Sequence, residues 1–192
     1  MLTLGAVAAH GQTLAPSMSN ARRNVDAFEK KLASLKDVQE KAQLARGFFG
    51  GLKDSESKIE AIGALDSRYV YVVPSGVEGE LLAPLLKDSD ARVRAEAAQA
   101  LGYCAWTGRT KIGGNAKQLI ALLKDPDARV RSSVLYAMGH SGEDQFFALL
   151  KASLFDPDPN VRRDARSEFG VWLGYQQDQL HELLETANKR ER

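Results

Sequence analysis

Val93, Ala97 and Leu101 follow one another at intervals of four; Val130, Val134 and Met138 repeat the spacing, and so do Val161, Ala165 and Phe169. That period places each trio on one face of an α-helix. Ahead of each trio stands a version of one phrase: DSDARVR (88–94), DPDARVR (125–131) and DPDPNVR (156–162). Its second aspartate, Asp90, Asp127 or Asp158, is placed as an N-cap, where a carboxylate accepts the free amides of the first turn. Pro159 stands at the first helical position, where its missing N–H costs nothing. Gly102, Gly139 and Gly170 directly follow the trios and are read as helix stops. The leucine-rich stretches LLAPLL (81–86), QLIALL (118–123) and FFALLKASL (146–154) precede the phrases and supply a first helix to each unit.

The units therefore predict helix pairs in tandem. Asp88, Asp125 and Asp156 are 37 and 31 residues apart, a period typical of helical-hairpin arrays. A fainter copy is aligned 34 residues earlier, LKDSESKIEAI (52–62) on LKDSDARVRAE (86–96), which sets Lys58 on Arg92 and Ile59 on Val93. Upstream, Val25, Phe28, Leu32, Leu35, Val38, Ala42, Ala45 and Phe49 lie on one helical face, with a restart near Ser34 and Asp37 and an end at Gly50-Gly51. Downstream, Leu180, Leu183, Leu184 and Ala187 line one side of a charged terminal helix, a polar cap that keeps an array soluble. The layout read from this pattern is an N-terminal segment 1–18 and one domain, 19–192. Within that domain, 19–51 are cap helices, 52–170 are repeats and 171–192 are a C-terminal cap helix.

Each phrase also brings arginines. Arg94, Arg131 and Arg162 sit just inside the second helix, while Asp88, Asp125 and Asp156 sit in the turn. Stacking the units brings one turn near the next helix start, so the expected arrangement is a ladder of Asp–Arg pairs. The alternative is an anion-binding stripe formed by Arg92, Arg94, Arg129, Arg131, Arg162 and Arg163. Every arginine pair arrives with two acids at fixed spacing, which favours the ladder and makes DPDARVR a joint.

The pattern L-L-x-D-x-D-x-x-V-R-x-x-A-x-x-A-L-G resembles the short HEAT-like repeats of the phycobiliprotein-lyase type, over residues 81–170 and more faintly over 52–66. The resemblance implies an all-α, right-handed αα-superhelix of about four to five helical hairpins. For function it implies only a range, since scaffolds, chromophore lyases, a hydroxylase and DNA glycosylases share the fold.

Two stretches break the repeat: SRYVYVVPSGVEGE (67–80) and AWTGRTKIGGN (105–115). Insertions in such arrays emerge on one face and often contact the ligand. Together they supply Tyr69, Tyr71, Trp106, Arg109 and Lys111, residue types enriched at binding hot spots. These five are the candidate partner-binding residues. The bland alternative has Tyr69 and Trp106 covering the ends of neighbouring hairpins.

Composition narrows the class. The 26 basic and 25 acidic residues nearly cancel, and residues 81–170 carry 13 basic against 11 acidic. That balance argues against nucleic acid as the partner. The lone cysteine, Cys104, allows no intrachain disulfide and is read as a buried apolar residue. Of His10, His140 and His181, only His181 has an adjacent acid, Glu182, so no metal site is expected, and His140 is assigned to an inter-repeat turn. No phosphate loop, nucleophile elbow or dinucleotide fingerprint occurs, and neither a catalytic residue nor a cofactor is assigned. The reading is a non-enzymatic scaffold whose partner is another protein. The alternative is an enzyme or accessory on the same fold, a bilin-lyase-like chaperone or a DNA glycosylase. Leu2 to Ala9 form a short apolar run, and Ala9-His10-Gly11 before Gln12 fits a small-x-small cleavage site. Export is therefore expected, with a cytoplasmic chain as the alternative. No stretch reaches the roughly 20 apolar residues of a membrane span.

Overall fold

The structure is a computed structural model that describes residues 19–66 and 73–190. The segment before Gln12 that reads as an export signal, together with Tyr69 and Tyr71, lies outside the described residues. Nine α-helices are present among those residues, with no strand: α1 (Asn20–Ser34), α2 (Val38–Gly51), α3 (Ser55–Asp66), α4 (Val77–Leu82), α5 (Ala91–Trp106), α6 (Ala116–Leu122), α7 (Ala128–Ser141), α8 (Phe147–Ser153) and α9 (Pro159–Arg190). The odd-numbered helices stack on one another in chain order to form one layer. The shorter α4, α6 and α8 pack beside their successors as the second, each joined to a single 3-10 turn. The result is a helical solenoid of four hairpins, α2/α3 to α8/α9, preceded by α1.

The caps are as expected. Asp90 and Asp127 accept the backbone N–H groups of Arg92 and Arg129, each at 2.9 Å, and Asp158 accepts that of Asn160 at 2.8 Å. The trios are the core: Val93, Ala97, Leu101, Val130, Val134, Met138, Val161 and Ala165 are all buried, and Phe169 packs against them half-covered. In the first hairpin region Asp37 itself caps α2 by accepting from the Glu40 N–H at 2.9 Å. Val38, placed on the apolar face by its spacing, is instead 58% exposed at the start of that helix.

Three expectations need correction. The fainter repeat is 36 residues from its successor, not 34. Asp54 accepts from the Ser57 N–H and so starts α3 as Asp90 starts α5, which aligns Lys58 with Arg94 rather than Arg92. The glycines are not stops, since α5 runs on to Trp106, α7 to Ser141, and α9 passes Gly170 without a break. The terminal cap is thus the continuation of the last repeat helix. His140, assigned to a turn, lies in the last turn of α7.

Close approach is what two of these glycines provide. A Cβ on Gly102 would lie 2.6 Å from Ala137 Cα on α7, and one on Gly139 would lie 2.8 Å from the Glu168 backbone oxygen and Cβ on α9. At Gly170 a Cβ would meet nothing within 4 Å. Equivalent positions should therefore respond with opposite signs. Gly102→Ala is expected to destabilise by about 1–3 kcal/mol, because the helices must separate. Gly170→Ala is expected to stabilise by up to about 1 kcal/mol through helix propensity alone. Thermal melts of the two variants check this.

Candidate functional site

The edge holding the Asp-X-Asp turns is occupied by the ladder. Arg94 donates from Nε and Nη2 to the Asp125 carboxylate at 2.8 and 2.9 Å, and Arg131 does the same to Asp156 at 2.9 and 2.9 Å. Lys58 forms the first rung, to Asp88 at 2.7 Å. Arg92 and Arg129 turn back to their own caps, Asp90 and Asp127, and Arg163 pairs with Asp164. An anion stripe of six arginines is therefore not what these residues form.

Burial raises the carboxyls of Asp88 and Asp125, but the hydrogen bonds from Lys58 and Arg94, with backbone N–H groups, outweigh it and leave both below the usual range. Asp156 is lowered first by Arg131, and Asp127 is lowered to about 2, chiefly by Arg129. A depressed folded-state value stabilises the fold above the unfolded carboxylate range, about pH 3.9 for aspartate. That contribution is lost as pH falls through the lower folded values. The urea midpoint is expected to stay level from about pH 7 to 5 and to fall below about pH 4, with a shallower fall in Asp125→Asn.

At the opposite edge, where each long helix returns to the next short one, residues 73–80 of the first repeat-breaking stretch meet the second. Arg109 donates from Nε to Glu78 Oε1 at 2.7 Å, pairs with the same oxygen through Nη2, and reaches the Val73 carbonyl. Both partners are buried: the Glu78 side chain is 1% exposed and that of Arg109 9%. Gly108 turns the chain with φ +70°, a conformation that suits glycine. Asn115 donates to the Gly79 carbonyl at 3.2 Å, and the Ile112 N–H reaches Glu143 Oε1 on the next loop at 2.9 Å. A Cβ on Gly79 would come within 3.1 Å of Asn115 Nδ2, so the Asn115 side chain lies close over a residue that has none.

These contacts leave a shallow groove of about 440 Å³ between the stretches, with Lys111, Thr110, Gln118, Glu80 and Gly76 in its walls. Lys111 is exposed. Trp106, at the end of α5, is 54% exposed, with ring centroids 5.8 Å from Tyr103 and 6.2 Å from His140. His140 stacks on Tyr136 at 4.0 Å, and its Nδ1 lies 3.0 Å from Glu168 of α9. Of the five candidates, then, Trp106 and Lys111 present surface at this edge, while Arg109 is turned inward as a tie.

The aromatic ridge of Tyr103, Tyr136 and His140 escaped the sequence reading, although Tyr103 with Trp106 and Tyr136 with His140 carry the i,i+3 and i,i+4 spacing of a shared helix face. A larger cleft of about 620 Å³ beside α2 and α4 is lined by the Lys58–Asp88 and Arg46–Glu80 pairs and by the exposed Lys87, so most of its charges are already matched. Among the described residues no group of three or more His, Cys, Asp or Glu side chains is placed to hold a metal ion. No helix among them is long and apolar enough to cross a membrane.

A family model of HEAT repeats matches residues 79–170, the span that carries the caps, stripes and ladder. Residues 79–170 are HEAT repeats. The fold also resembles the crystal structure of an engineered protein at 20% identity, over 81% of this chain and 80% of that one, with a TM-score of 0.50. No curated protein matches the chain in sequence. HEAT repeats generally mediate protein–protein interaction, and these repeats vary at the loop edge while their turn edge is tied up in the ladder.

Proposed function

We propose that the chain is a non-enzymatic adaptor that holds a partner protein along its loop edge, in the groove beside Lys111 and across the Trp106 ridge. The observation that carries this reading is the Arg109–Glu78 tie. A buried ion pair fixes residues 73–80 against the 105–115 segment, so the outer surfaces there are preorganised and lose little freedom when a partner docks. Trp106 offers a large, rigid contact with an edge-on aromatic neighbour on each side, the kind of anchor that dominates interface energetics. Lys111 places a positive charge in the groove wall, while Glu80 across it is already paired with Arg46, so the groove favours an acidic group on the partner.

The test is affinity capture from native extract with mass spectrometry, comparing wild type with Lys111→Glu and Trp106→Ala. Both substitutions are at exposed positions and are expected to leave the array folded, which circular dichroism checks. Loss of the same proteins from both variant lists is expected, and unchanged lists would remove this edge from the interface. DNA-strand incision or bilin transfer by the purified chain would overturn the adaptor reading in favour of an enzyme or a chromophore chaperone.

A further inference from the structure

The ladder has one more rung than it has aspartates. Arg94, Arg131 and Arg162 are each held by their own turn: Nη1 donates to the carbonyls of Asp88, Asp125 and Asp156, at 2.8 Å in all three cases. In the first two, that pose aims Nε and Nη2 at an aspartate of the next repeat. Those aspartates are themselves oriented, because Asp125 and Asp156 accept the N–H two residues ahead at 3.0 and 2.8 Å. Arg162 has the same pose, yet no described carboxylate meets its outer edge.

This end of the array is bare in two other respects. Gly170, in the position where Gly102 and Gly139 admit the next helix, faces open space. Phe155, in the turn beside Asp156, is 83% exposed, where the equivalent residues are Lys87 and Lys124. The undescribed stretches of this chain do not supply the missing acid. Residues 1–18 and 67–72 contain no Asp or Glu, and the acid of 191–192, Glu191, follows an α9 that runs to Arg190; by Gln179 that helix has risen about 25 Å from Arg162 along its own axis, and by Arg190 about 42 Å. A second copy offers no turn either, since its Asp88, Asp125 and Asp156 are already held.

We infer that this end face is a docking site for a partner protein that presents an Asp-X-Asp turn at a helix start, its first aspartate taking the bidentate edge of Arg162 and its helix closing over Gly170. The occupant is specified by what the identical arrangement binds twice within the array, by charge and by shape. The guanidinium is already oriented, so the pairing forms without ordering a free side chain. This surface is separate from the loop-edge groove, and either can fail alone.

The test follows the Arg162 Nε–Hε resonance of the full chain by NMR during titration with a synthetic one-repeat peptide of residues 116–141, which carries the Asp125-Pro126-Asp127 turn. A saturable shift is expected, weakened at least about tenfold by Asp125→Asn in the peptide or by Arg162→Gln in the protein. Gly170→Leu, which leaves Arg162 in place, should block the peptide as well. No shift at millimolar peptide would overturn the proposal, as would equal binding of the Asn peptide. Dimerisation of the chain alone, abolished by Arg162→Gln and unaffected by peptide, would assign the face to a second copy and overturn it too.

Discussion

Val130→Asp is expected to melt about 10 °C or more below the wild-type chain. Val130 is fully buried, so the new carboxylate would be cut off from water. Burying such a group costs at least about 4 kcal/mol, or forces the joint open. The cost belongs to burial and not to an acid near a helix start, because the first turn of a helix favours negative charge. Val38 provides the control. It opens α2 and is largely exposed, so Val38→Asp should change stability by no more than about 0.5 kcal/mol. Urea unfolding of the two variants side by side separates burial from local helix effects.

Arg109→Ala should be the second large loss, about 3–5 kcal/mol, because it leaves Glu78 buried without its counter-charge. The Gly76 N–H still reaches Glu78 Oε2 at 2.8 Å, but one amide does not replace a guanidinium. Replacing both charges, in Glu78→Gln/Arg109→Met, should recover more than half of the loss, since a buried pair is often worth no more than a well-packed neutral one. Denaturant melts of the single and double variants check this. If Arg109→Ala melted like wild type, the inward tie would be wrong. A binding defect in Arg109→Ala would report the collapse of the loop edge, so Lys111 and Trp106 are the informative positions for partner contact.

What was legible in the sequence is what short-range chemistry encodes. N-cap aspartates act within one turn and the apolar stripe repeats every four residues, so Asp90, Asp127, Val93 and Val130 could be placed without coordinates. The ladder was legible because its members recur together. The glycines were misread for a physical reason: a missing Cβ serves a left-handed stop and a close helix crossing equally well. Only the neighbour across the joint, Ala137 for Gly102, decides between them. The register of Lys58 was missed because its phrase lacks the Asp-X-Asp doublet, leaving Asp54 to be paired with the wrong aspartate. Arg109 looked like a surface cation because Glu78, 31 residues away, looks like any acid in a polar loop. Nothing local marks either of them as buried.

The central claim is that the threefold phrase is a joint and not an anion site, and a double-mutant cycle on one rung tests it most directly. Arg94 and Asp125 have side chains 14% and 5% exposed, so solvent screens them little. Urea denaturation of Arg94→Gln, Asp125→Asn and the double variant should give a coupling energy of about 1–3 kcal/mol. The same cycle run in inorganic phosphate should return the same value. Additive losses, together with phosphate stabilising the wild type but not Arg94→Gln, would contradict it.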